Sequence, residues 1–136
     1  MTKTIIFDYD GTIHHTLGIY EPAFRETYQW LTEQKVTEER EIGSVEIAGW
    51  LGLNSKEMWN TFLPELDQSY KEQASRMVGD LMVRQIRKHK AVWYPGAEEM
   101  LTALKNRGYH LVILSNCKAS YREACLLYTS PSPRDA

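Results

Sequence analysis

Thr4-Ile5-Ile6-Phe7-Asp8-Tyr9-Asp10-Gly11-Thr12 is the stretch that decides the fold. Thr4–Phe7 is short, β-branched and apolar, which predicts a buried parallel strand. At Asp8 the composition turns polar within one residue. Open α/β sheets build their sites just beyond the carboxyl ends of such strands. A second apolar run, Tyr109-His110-Leu111-Val112-Ile113-Leu114, predicts another buried strand and ends in Ser115-Asn116.

Between the two runs the periodicity is helical. Tyr20, Ala23, Phe24, Thr27 and Leu31 share one face of a helix beginning at Tyr20, with Pro22 in its first turn. Asn54-Ser55-Lys56-Glu57 has capping-box spacing, and Met58, Phe62 and Leu66 form the stripe of the helix it opens. Asp67 starts a longer helix that turns Tyr70, Ala74, Met77, Leu81 and Met82 inward, and Gly79 weakens it without breaking it. Tyr94-Pro95-Gly96 starts a helix burying Ala97, Leu101 and Leu104, and Gly108 stands where a left-handed C-terminal cap belongs. The predicted fold class is α/β: a Rossmann-like doubly wound parallel sheet, incomplete here, with an inserted α-helical cap. Residues 1–15 and 91–124 are expected to form a partial core, 16–90 the cap, and 125–136 a non-native tail.

Composition narrows the function. The chain has 136 residues, 43% hydrophobic and 25% charged, as in an ordinary globular domain. With 16 Lys+Arg against 18 Asp+Glu, it has no basic field for a nucleic-acid backbone. Nothing approaches the roughly 20 apolar residues of a membrane span. Two cysteines, Cys117 and Cys125, exclude a disulfide scaffold and point to a reducing, cytoplasmic setting. The expected partner is a small phosphorylated metabolite rather than nucleic acid or membrane; the oligomeric state is not legible.

Asp8 and Asp10, at i and i+2 after the first strand, are the chemical core of the sequence. Two acids this close repel unless a cation or a shared proton offsets them, and Mg²⁺ with oxygen ligands is the simplest solution. One carboxylate can then attack an electrophilic phosphorus while the other moves protons. The Gly11-Thr12 turn lets amides approach an anion. The same residues also make an ordinary solvated strand-end turn. Ser115-Asn116, after the second strand, suits phosphoryl oxygens and equally suits a helix N-cap. His14-His15 is not a metal pair, since neighbours rarely converge on one ion; a place beside the cap hinge explains it better. Trp30, Trp50, Trp59 and Trp93 are packing residues, and Arg87-Lys88-His89-Lys90 complements a helix C-terminus.

Asp8-Tyr9-Asp10-Gly11-Thr12-Ile13 and Leu114-Ser115-Asn116 resemble the first two signature motifs of the haloacid dehalogenase superfamily, over residues 3 to about 118. The resemblance implies an Asp8 nucleophile that forms an aspartyl-phosphate and an Asp10 general acid/base, with Mg²⁺ held by both. It implies that Gly11, Thr12, Ser115 and Asn116 lie around the phosphate, and the acid at position 10 favours phosphoryl transfer over dehalogenation. Leu51–Glu57 is similar to the specificity loop of the family's cap, which makes Asn54 and Lys56 substrate-contact candidates. Phosphomutase relatives usually carry a His where Tyr20 stands, so a phosphoglycolate-phosphatase-like hydrolase is the nearer match and a mutase the runner-up. The family's later Lys and acidic pair are not found: Lys118 comes too early, and no acidic pair follows Asn116. Residues 125–135 resemble a translated sequencing adapter, so native sequence is expected to end near Ala124 and the protein to continue. A natural chain without those motifs would instead be a phosphate-binding pseudo-enzyme. A sheet of two strands is marginal without further strands, so the 136-residue polypeptide is expected to be unstable and inactive.

Overall fold

The expected strand forms over β1 (Thr4–Asp8) and pairs in parallel with β2 (His110–Leu114), so that Thr4 lies opposite His110 and Asp8 opposite Leu114. A computed structural model of the chain describes residues 3–88, 90–114 and 124. Ser115, Asn116, Cys117, Lys118 and the expected tail lie outside the described residues.

Between the strands run α1 (Leu17–Glu33), α2 (Ser44–Ala48), α3 (Ser55–Phe62), α4 (Gln68–Arg87) and α5 (Ala97–Asn106). Helix α1 begins three residues earlier than its apolar pattern suggests, so Pro22 lies inside it rather than in its first turn. All five residues of the expected stripe are buried. At α3 the capping box is complete: Asn54 Oδ1 accepts the Glu57 amide at 2.8 Å, and Glu57 Oε2 accepts the Asn54 amide at 3.1 Å. This helix stops at Phe62, so Leu66 packs from the connecting turn instead of from a helical stripe. The Asp67 carboxylate caps α4 through the Ser69 amide at 3.3 Å, and the helix runs through Gly79. Its inward face includes Lys71 and Val78 as well as Ala74 and Leu81, while Tyr70, Met77 and Met82 are only partly buried. Gly96 (φ +85°) and Gly108 (φ +89°) flank α5 in left-handed geometry.

Two hydrophobic clusters result. In the helical one, Phe24 is fully buried and its ring lies 5.1 Å from Trp50, 5.5 Å from Phe62 and 6.0 Å from Trp59. Aromatic pairs at such spacings each add about 0.5–1.5 kcal/mol beyond burial. Arg40 lies over Phe62 at 5.3 Å and pairs with Glu46 at 2.6 Å, which holds the Glu46 carboxyl below its ordinary range. Burial pushes the Tyr20 phenol up to about 12. The second cluster joins Tyr9, Ile13, Ile19, Ile86, Ala91, Ala97 and Ala124.

The strands themselves are not buried as expected. Ile6 is 61% exposed and Leu114 59%. Parallel strands are normally covered on both faces by further layers, and among the described residues this sheet has two strands.

Candidate active site

Beyond β1 the chain folds back on itself from Tyr9 to Thr16. The Tyr9 carbonyl accepts the amides of Thr12 (3.3 Å), Ile13 (3.0 Å) and His14 (3.0 Å). Gly11, at φ +76°, donates its amide to the His14 carbonyl at 3.0 Å and to Thr16 Oγ1 at 3.1 Å. Among the described residues, no atom other than those of its chain neighbours stands within 4 Å of the place a Gly11 Cβ would take, so the positive φ, and not crowding, is what favours glycine here. The returning segment before α5 clamps the turn: Val92 O accepts the His15 amide at 2.9 Å, and Ile13 O accepts the Tyr94 amide at 2.8 Å.

The two acids sit in different surroundings. Asp8 is exposed at the strand end, and no hydrogen bond or ion pair among the described residues engages its carboxylate. Asp10 turns toward the fold, where its Oδ1 accepts the Thr16 hydroxyl at 3.0 Å. The Nδ1 of His14 lies 3.3 Å from the same oxygen and donates to it in the Nδ1–H tautomer. Two contacts on one oxygen fix the orientation of Asp10. His14 is wholly buried and stacks on Tyr9 at 5.2 Å, and the Tyr9 hydroxyl accepts Trp93 Nε1–H at 3.3 Å. The Asp10 side chain remains 37% exposed, so the acid also faces the space beyond the strand end.

Asp8, Asp10, Gly11 and Thr12 are therefore brought into one turn. The amides of Gly11 and Thr12 are both engaged inside it. Asn54 and Lys56 lie elsewhere, at the start of α3, where the Asn54 oxygen serves as cap. His14 and Thr16, which hold Asp10, had no chemical role in the sequence. A hydroxyl just before a helix signals an N-cap, and Thr16 stands there, yet its side chain caps nothing in α1 and reaches Asp10 instead.

The donor set suits a hard cation. Two carboxylates two residues apart are oxygen ligands of the kind Mg²⁺ takes while keeping several waters. No group of three or more His, Cys, Asp or Glu side chains that could hold a metal occurs among the described residues, so these residues supply only part of a coordination shell.

The signature of haloacid dehalogenase-like hydrolases matches residues 2–130, and the chain belongs to that family. Its fold is the family's parallel sheet flanked by a helical cap, with two strands of the sheet among the described residues. No curated protein sequence matches it. Among solved structures it is similar to CbbY from Rhodobacter sphaeroides in complex with phosphate: TM-score 0.72, 20% identity, 99% of this chain and 60% of that one. A mutant of the same protein in complex with xylulose-(1,5)bisphosphate superposes equally well, with TM-score 0.72. A hydrolase from Pseudomonas syringae gives TM-score 0.70 at 20% identity over 94% of this chain and 55% of that one. A predicted phosphoglycolate phosphatase from Haemophilus somnus 129pt gives 0.61 at 16% identity, covering 99% of this chain and 64% of that one. The chain thus spans about 60% of the length of the CbbY chains it resembles. No helix among the described residues is long and apolar enough to cross a membrane.

Proposed function

We propose that the turn after β1 is the nucleophilic half of a phosphomonoesterase site that acts on a small phosphorylated metabolite, of the phosphoglycolate or sugar-phosphate kind. The observation that carries this is the contrast between the two acids: Asp8 exposed and, among the described residues, unengaged, Asp10 two residues on and oriented by Thr16 and His14. Pairs of carboxylates in unlike surroundings are how one site separates two roles. Family membership supports the reading, and so do the phosphate and bisphosphate complexes of CbbY. The residue composition supports a cytoplasmic setting.

In the first step an Asp8 oxygen forms a bond to phosphorus as the ester P–O bond breaks, and Asp10 delivers its proton to the departing alkoxide. In the second, Asp10 takes a proton from water, whose oxygen bonds to phosphorus, and the Asp8–phosphorus bond breaks. Inorganic phosphate leaves and both acids are restored. Asp8 and Asp10 would hold Mg²⁺, which supplies neutralisation of phosphoryl charge when bound. Because the Gly11 and Thr12 amides are occupied within the turn, contact with phosphoryl oxygen falls to the exposed Thr12 hydroxyl, with Ser115 and Asn116 assigned the same role.

The test uses protein translated from the complete reading frame at the source locus, assayed on a panel of small phosphomonoesters with Mg²⁺. Asp8→Asn is expected to lower turnover by at least about a thousandfold, and Asp10→Asn by about 10²–10⁴. Full turnover in Asp8→Asn contradicts the proposal. Mg²⁺-dependent phosphate binding without any turnover in the wild type does so too, and identifies a binding domain.

A further inference from the structure

A second candidate site lies in the helical half, away from the acidic turn. A cavity of about 320 Å³ opens between α3 and α4, walled by Lys56, Trp59 and Asn60 on one side and by Lys71, Glu72 and Arg76 on the other. Small-molecule sites begin at about this volume. Lys71 lies 15 residues before Ile86, which packs beside Tyr9 and Ile13 under the acidic turn. At 1.5 Å per residue the two are about 22 Å apart along the helix.

The chemistry of the wall is one-sided. Lys71 is only 8% exposed, and its ammonium donates to two neutral oxygens, Asn60 Oδ1 at 2.8 Å and Pro64 O at 3.1 Å. A buried ammonium ordinarily sits against a carboxylate, and among the described residues none of Lys56, Lys71 or Arg76 is in an ion pair. Of the acceptors nearby, Asn60 Oδ1 and Pro64 O are already used, which leaves the side chains of Glu72 and Gln68. Asn60 Oδ1 accepts a hydrogen bond from Lys71 Nζ, which leaves the Asn60 amide N–H₂ as donor. The Ser55 hydroxyl donates to Ser75 at 2.6 Å, and Ser75 donates to Lys71 O at 2.9 Å. The indole Nε1 of Trp59 is buried with no hydrogen-bond partner among the described residues. Three cations face one carboxylate, Glu72, so the wall holds two positive charges in excess.

We infer that the α3–α4 cavity binds a small oxyanion of the phosphate or phosphate-monoester type. Surplus donors and cations call for a ligand made of acceptors, and a dianion balances the excess charge. The site lies outside the acidic turn, and of its residues only Lys56 is also a substrate-contact candidate on the family resemblance, so the assignment stands on Lys71, Asn60, Trp59 and Arg76 whether or not the phosphomonoesterase reading holds.

The test is a titration of the ¹⁵N-labelled 136-residue chain with inorganic phosphate in EDTA, where the acidic turn has no cation to offset its own repulsion of the anion. Saturable shifts are expected at the Trp59 indole N–H and at the amides of 55–60 and 68–76, with little change at 8–16. Lys56→Gln combined with Arg76→Gln, both at exposed positions, is expected to weaken binding at least tenfold while leaving the far-ultraviolet circular dichroism unchanged. Asp8→Asn is expected to leave the phosphate affinity of this site as it is. The absence of shifts at α3 and α4, an affinity indifferent to the double variant, or an affinity lost in Asp8→Asn overturns the assignment.

Discussion

In the helical half, Phe24 is fully buried and Trp59 is 1% exposed, each enclosed by rings from α1, α3 and the turns beside them; in the strand pair, Ile6 and Leu114 each leave more than half of their surface to solvent. The two regions use equally apolar residues, so composition does not explain the difference. A helix stripe closes against its neighbours, and α1 and α4 lie against one another along their length. A parallel strand needs further strands beside it and helices on both faces before its side chains are covered. The stability of this chain therefore resides in the helices, while its acidic chemistry sits at the rim of the less covered region.

The largest expected effect tests that contrast directly. Phe24→Ala should cost about 3–5 kcal/mol, as truncation of a buried aromatic does, whereas Ile6→Thr should stay within about 0.5 kcal/mol, as exposed substitutions do. Urea unfolding of the 136-residue chain followed by circular dichroism measures both; equal losses would break the comparison.

Alkaline pH gives the next effect. The folded pKa of Tyr20 is raised from 10.0 to about 12 because burial disfavours the phenolate. Folding therefore favours the protonated form. The contribution is complete below the unfolded value and is lost as pH rises from about 10 toward 12, by about 2–3 kcal/mol in all. A series of unfolding curves between those pH values should show this slope in the wild type and a shallower one in Tyr20→Phe. Identical slopes would place the alkaline loss elsewhere.

A smaller effect belongs to the α3 capping box. Asn54→Ala removes the acceptor for the Glu57 amide and should cost about 1 kcal/mol. Because the helical half carries the stability, the loss should appear in the global transition rather than as local fraying of α3. Amide exchange confined to α3 would show that this helix is uncoupled from the rest.

What was legible in the sequence was local. The capping box, the α1 stripe and the left-handed glycine at 108 depend on neighbours a few residues away, and each formed as expected. The start of α1 was misplaced because Pro22 resembles a first-turn residue, and α2 is only five residues long, too short to show a period. The exposure of Ile6 and Leu114 was hidden because burial of a strand is decided by layers distant in sequence. The same limit applies at the site. Asp8 and Asp10 stood out by position, but their unlike surroundings come from Thr16 and His14, whose contacts are made only when the turn closes. Lys71 was illegible for a related reason: a lysine in a helix ordinarily faces water, and here it faces inward among neutral acceptors.

The central claim is that Asp8 accepts the phosphoryl group. Its most direct test is to quench the protein from the complete reading frame in acid during turnover of a phosphomonoester, and to map the modification by mass spectrometry. The tryptic peptide 4–25 carries both acids. The account predicts one phosphoryl group in that peptide, on Asp8, absent from Asp8→Asn. Turnover with the phosphoryl group on another residue, or with no phosphoenzyme at any stage, would contradict it.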